Sequence, residues 1–235
     1  MTPSQVTATA PDSPLCAGCG KPPALCVCAA LAKVDNRIEV LVLRHPQEQD
    51  EILGTAGLLC RQLSRATLLT GLSWANLPKA LGGRAADPRD WGTLYLGTKV
   101  QSQGADAPPL SVADAIGEPL ADQRGGLEGI RGLILLDGTW AQAKALWWRN
   151  AWLLKTRRLL INPSSPSLYG AQRREPRRES VSTLEAAAQA LAVLERRPAI
   201  VASLVAPLKL LVRKIESTGA AARPAPRRLD RRKRR

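Results

Sequence analysis

The chain has 235 residues, 45% of them hydrophobic, and a formal net charge of +14. That length buries one good core, or one core with a small appendage. With no Phe, two Tyr and six Trp, aliphatic side chains must supply most of it. From Arg223 to Arg235 there are eight Arg or Lys against one Asp, so half of the charge excess lies in the tail and half in the body. Phosphate-rich partners are drawn to such a surface through counterion release, which favours nucleic acid over a merely solubilising charge. No stretch reaches the roughly 18 uncharged apolar residues of a membrane span. The first residues lack the basic and apolar regions of a secretory signal. The expectation is a cytoplasmic protein with no membrane partner.

In chain order, residues 1–14 are rich in Pro, Ser and Thr and are expected to be disordered. Residues 15–32 hold four of the five cysteines: Cys16 and Cys19, then Cys26 and Cys28. The two-residue spacing of the first pair lets two thiolates reach one ion, and Gly18 and Gly20 allow the turn between them. A closed set of four thiolates suits a structural zinc. Two disulfides are the alternative, disfavoured in a reducing compartment.

The body, residues 33–218, alternates strands and helices. Strands are predicted at 38–43, 66–70, 92–96, 132–136 and 159–161. Helices are predicted at 51–64, from Thr139 onward with Trp140 and Trp147, and at 186–196. The run 182–185 has the form of a capping box. Residues 199–212 read as a core helix or two, and 75–131 as mostly loop. Cys60 reads as a packing thiol. The alternation predicts an α/β fold with a largely parallel sheet flanked by helices. Residues 219–235 form a basic, Pro- and Arg-rich tail expected to be disordered.

Asp137 stands where the apolar run Gly132–Leu136 meets the next helix. In open α/β sheets such strand ends line the ligand crevice. The same residue could simply cap the helix. His45, the chain's single histidine, follows the 38–43 strand and stands just before Pro46. It could line the site or only bond a neighbouring carbonyl.

Four blocks in order carry a family resemblance: Cys16, Cys19, Cys26 and Cys28; His45-Pro46-Gln47-Glu48; Asp137-Gly138-Thr139-Trp140; and Tyr169 to Glu185. Together they resemble the DTW-domain family, the tRNA-uridine aminocarboxypropyltransferases, over roughly residues 15–200. The family usually has Pro after a Leu-aromatic pair; this chain has Leu96-Gly97 after Leu94-Tyr95.

The resemblance implies a fold similar to the knotted SPOUT methyltransferases, with S-adenosylmethionine as co-substrate and tRNA as partner. It implies transfer of the 3-amino-3-carboxypropyl group to the imino nitrogen of a uridine, with methylthioadenosine leaving. Asp137 is then the expected base, with His45 beside it. Asp137, Thr139, Trp140, Glu48, Ser182, Thr183 and Glu185 are the expected co-substrate contacts. Arg173, Arg174, Arg177 and Arg178 suit RNA phosphates, since the guanidinium fork gives paired bonds. Glu185 is as readily a helix cap as a ligand. A methyltransferase of the same fold and a noncatalytic zinc-stabilised RNA-binding protein remain the alternatives.

Overall fold

A computed structural model describes residues 15–94, 108–163, 165–170 and 181–218. The expectations for residues 1–14, the Leu96-Gly97 departure, the arginines at 173, 174, 177 and 178, and the tail lie outside the described residues. Six strands form one sheet: β1 (Glu39–Arg44), β2 (Ala66–Thr70), β3 (Trp91–Leu94), β4 (Leu110–Ala113), β5 (Gly132–Asp137) and β6 (Arg157–Ile161). Their order across the sheet is β2-β1-β5-β3-β6-β4. Every pairing is parallel except that of β4 with β6.

Period-two side-chain alternation sends each central strand into two cores. Val40, Val42, Leu133 and Leu135 face one side. There they meet α1 (Ala56–Gln62), α5 (Thr183–Leu194) and α6 (Ile200–Thr218). Leu41, Leu43, Ile134 and Leu136 face the other, under α2 (Leu77–Ala80), α4 (Trp140–Arg149) and the 3-10 turn Ala151–Lys155. A short α3 (Gln123–Leu127) packs near β4. Among the described residues, no helix is long and apolar enough to cross a membrane.

The predicted helix at 51–64 shortens to α1, because the backbone of residues 51–54 turns its carbonyls onto Lys21 instead. The Lys21 ammonium donates to the carbonyls of Ile52, Gly54 (2.8 Å) and Glu51 (3.4 Å). The region 75–131, read as loop, supplies the antiparallel edge strand β4. Of the predicted stretch 199–212, residues 200–212 lie in one helix, which continues through the buried Pro207.

Helix α5 is fixed at both ends. Ser182 Oγ accepts from the Glu185 N–H (3.2 Å), and Glu185 Oε2 accepts from the Ser182 N–H (2.9 Å), which completes the predicted capping box. Just past its other end, buried Glu195 accepts from the Arg37 and Ile38 N–H groups at 2.7 and 3.0 Å, at the entry to β1.

Candidate active site at the carboxyl ends of β1 and β5

β1 and β5 are neighbours whose chains depart in opposite directions. β1 leads through α1 to the sheet edge at β2, while β5 leads through α4 on the other face to β6. That divergence opens a crevice at their carboxyl ends, where open α/β sheets bind ligands. Arg44 and Asp137 are register partners at those ends.

Asp137 is 6% exposed. The Thr183 hydroxyl at the head of α5 donates to its Oδ1 at 2.6 Å. The His45 N–H donates to the Asp137 carbonyl oxygen at 2.9 Å, so the two loops leaving β1 and β5 are tied together. The His45 ring turns back on its own loop, Nδ1 accepting from the Gln47 N–H at 3.3 Å. Gln142 then bridges the loops by donating from Nε2 to Gln47 Oε1 (3.1 Å). A side chain at Gly138 would meet Gln142 Cβ at 2.9 Å and His45 Cβ at 3.4 Å, so glycine permits this close crossing.

Asp137 is not the cap of α4. Thr139 is: its N–H donates to Gln142 Oε1 (2.6 Å), and its hydroxyl accepts from the Gln142 N–H (3.4 Å).

A cavity of about 410 Å³ opens beside it, within the usual range for small-molecule sites. Asp137, Glu48, Arg44, Lys21 and Cys60 line it with the backbone of 51–54. Of the predicted co-substrate contacts, this cavity gathers Asp137 and Glu48. Thr183 and Ser182 stand behind Asp137, and Thr139 and Trp140 begin α4. The Glu185 carboxylate is engaged by protein donors, including the Leu168 N–H (2.7 Å) and the Ser167 hydroxyl (3.0 Å). Sequence reasoning missed Arg44 and Lys21. Arg44 stood next to His45 at a strand end, which was signal enough. Lys21, 5% exposed, gave only its place two residues after Cys19. Its burial pushes the ammonium down to about 8.

The cysteine knuckle forms one wall of this cavity through Cys19, Gly20 and Lys21. The four Sγ atoms of Cys16, Cys19, Cys26 and Cys28 all lie within 4.8 Å of one another. Closest approaches are 3.5 Å (Cys16 to Cys28), 3.6 Å (Cys26 to Cys16) and 3.8 Å (Cys19 to Cys26). Zn–S bonds of about 2.3 Å in a tetrahedron place sulfurs roughly 3.8 Å apart, so the set fits zinc. All five cysteines are free thiols. The Cys19 N–H, with help from the neighbouring thiols, draws the Cys16 thiol down to about 6, while its bond with Cys16 raises Cys28 to about 12. All four could ionise together only with a cation between them, and their spacing leaves room for one. A Cβ on Gly18 would meet Cys28 Sγ at 2.5 Å, so the hook admits only glycine. Behind it, Leu25 and Val27 are buried in the α6-side core.

The sequence is similar to known proteins over most of its length. A mouse protein named tRNA-uridine aminocarboxypropyltransferase 2 is 30% identical over 204 residues, 84% of this chain and 62% of its own length. Macaque and fly proteins of the same name are 28% and 31% identical, over 84% and 87% of the chain. The chain spans 62% of the macaque protein and 76% of the fly protein. No solved structure matches. The family model for the DTW domain matches residues 13–216, the knuckle and the whole sheet included, and the chain belongs to that family.

Proposed function

We propose that the protein transfers the 3-amino-3-carboxypropyl group of S-adenosylmethionine to the imino nitrogen of a uridine in tRNA. The observation that carries this is a buried carboxylate, Asp137, held by Thr183 at the ligand crevice of a DTW-domain chain. The names of the mouse, macaque and fly relatives support the substrate and the group transferred.

The reaction is a displacement at carbon. The imino nitrogen attacks the methylene attached to sulfur, the carbon–sulfur bond breaks, and its electron pair returns to the sulfonium to give neutral methylthioadenosine. The leaving group is activated by its own charge, so the protein's task is alignment and proton removal. Asp137 takes the imino proton, and its Thr183 bond fixes the oxygen that does not. In the cavity, Arg44 and Lys21 offer positive charge to the carboxylate of the amino-acid end, and Glu48 offers negative charge to its ammonium. His45 acts by fixing the Asp137 loop through its backbone.

A structural zinc in the knuckle would hold the cavity wall and take no part in the transfer. The knotted SPOUT-like path belongs to the same proposal, supported by the return of α5 from beyond β6 to the end of β5, where Thr183 meets Asp137. Arg173, Arg174, Arg177, Arg178 and the basic tail are proposed to hold RNA phosphates. Free thiols suit a cytoplasmic location.

Mass spectrometry after incubation with S-adenosylmethionine and unmodified tRNA tests the reading. It expects aminocarboxypropyl-uridine and methylthioadenosine; a methylated nucleoside with S-adenosylhomocysteine would overturn the chemistry. Asp137→Asn should lower the transfer rate by about 10²–10⁴-fold with the fold intact, the range for losing a general base. A folded Asn variant with full activity would remove Asp137 from that role.

A further inference from the structure

Helix α4 begins beside the Asp137 carboxylate and ends in two adjacent tryptophans with opposite surroundings. Trp147 is 7% exposed, and the Arg158 guanidinium lies 5.5 Å from its ring centroid. Trp148 is 72% exposed, and Leu154 in the following turn is 51% exposed. Trp148 thus presents an open indole face, the kind of flat, amphipathic side chain enriched where proteins meet partners.

The charges around it say which kind. From Gly138 to Gly170 the sequence holds five Lys or Arg and no Asp or Glu. Two of these cations hold the fold. Arg157 donates to the Gly126 and Glu128 carbonyls, and Arg158 to that of Ala115. The other three, Lys144, Arg149 and Lys155, are exposed. Among the described residues, their charged groups have no hydrogen-bond or ion-pair partner. Lys144 lies one turn before Trp148 on the same helical stripe. The nearest acidic turn, Pro88–Asp90, packs against Ala151–Lys155, but its charges are engaged: Asp87 pairs with Arg89 at 2.6 Å, and Asp90 lies 4.0 Å from Arg131.

We propose that this outer face of α4, with Trp148 between Lys144, Arg149 and Lys155, docks an unstacked segment of the substrate RNA. The indole stacks on a base and the cations hold the adjoining phosphates. The inference rests on the RNA-modifying reading above and adds to it a contact surface outside the cavity. An aromatic platform among unpaired cations is how proteins grip single-stranded nucleic acid, because every base has a face to stack and every linkage a charge to neutralise. Trp148 stands eight residues beyond Trp140, about 12 Å along the helix axis from the end of α4 that follows Asp137, a span of the order of two nucleotides. A second copy of the chain is the weaker occupant. Across a two-fold axis the same three cations would meet their own counterparts.

The test uses the full chain, pooled unmodified tRNA transcripts and a salt series. Trp148→Ala should weaken binding about tenfold, with Trp148→Phe restoring most of it and Trp148→Leu failing to. Lys144→Ala with Lys155→Ala should reduce the slope of log affinity against log salt by about 1.4, the single-strand value for two phosphate contacts. Melting temperatures should stay at the wild-type value, which keeps misfolding out of the result. Wild-type binding by Trp148→Ala would overturn the proposal. So would full rescue by Trp148→Leu together with a concentration-dependent dimer in sedimentation, which would assign the surface to a second copy. The two readings fail separately. If no transfer product forms yet tRNA binding depends on Trp148, the reaction falls and the surface stands. If Trp148→Ala transfers with wild-type kcat/KM, the surface falls and the reaction stands.

Discussion

The two faces of the sheet are built to different standards. On one, α1, α5 and α6 close over Val40, Val42, Leu133 and Leu135 with aliphatic side chains, and the knuckle extends the same core through Leu25 and Val27. On the other, α2, α4 and one 3-10 turn cover the sheet with Trp91, Trp147 and Trp152 among the buried side chains. The first face is closed by long helices. The second is thinner and leaves Trp148 and Leu154 in solvent. Asp137 ends β5, which feeds side chains to both cores. The covered face thus carries most of the closed core and the thinner face carries the proposed contact surface, with Asp137 on the strand they share.

The largest effect should come from the closed face. Apparent zinc-binding free energies in small zinc sites are about 10–16 kcal/mol and count directly toward folding. Stripping the proposed zinc with a chelator should therefore lower the melting temperature more than any single side-chain truncation. An unchanged melting temperature would show that the aliphatic face stands without its knuckle.

The adjacent tryptophans sharpen the contrast. Trp147→Ala should cost about 3–5 kcal/mol of unfolding free energy in denaturant titration. Trp148→Ala should stay within about 0.5 kcal/mol, as surface changes do. Equal costs would erase the distinction between covered and open surface on α4.

Smaller still is the cap of α5. Ser182→Ala should cost about 1 kcal/mol and lower kcat as well, since it loosens the turn that carries Thr183 to Asp137. A loss of stability with full kcat would confine that turn to folding. The last test is chemical. Burial pushes the half-buried Cys60 thiol up to about 12, so at pH 8 it stays protonated. Metal-free protein treated with an alkylating reagent should be modified at Cys16, drawn down to about 6, well before Cys60. Rapid labelling of Cys60 would mean that the cavity beside it opens freely.

Much of this was legible because local and global signals agreed. The branched apolar run before Arg44 could only be a buried strand. Ser182 and Glu185 announced the start of α5, and the spacing of Cys16 and Cys19 announced a hook. Asp137 was readable as the end of a buried strand, but spacing alone favoured a helix cap, and only the Thr139 bonds show that the cap lies two residues on. What was not legible depended on distant partners. β4 has four residues in a Gly- and Pro-rich region, and only β6, far along the chain, makes it a strand. Residues 51–54 read as the start of a helix, yet the carbonyls of Glu51, Ile52 and Gly54 serve Lys21 from another segment. The outward side of Trp148 followed from packing, since adjacent helix positions alone do not say which indole is buried.

Helix α5 touches the reacting carboxylate at one end and the root of β1 at the other, through Thr183 and Glu195. Its twelve residues make a rod about 18 Å long. A rod pinned at both ends transmits displacement rather than absorbing it. Any change that lets β1 slide at Ile38 will therefore be felt at the Asp137 carboxylate, the proposed proton acceptor. Glu195 is thus tied to the proposed reaction without lining the cavity.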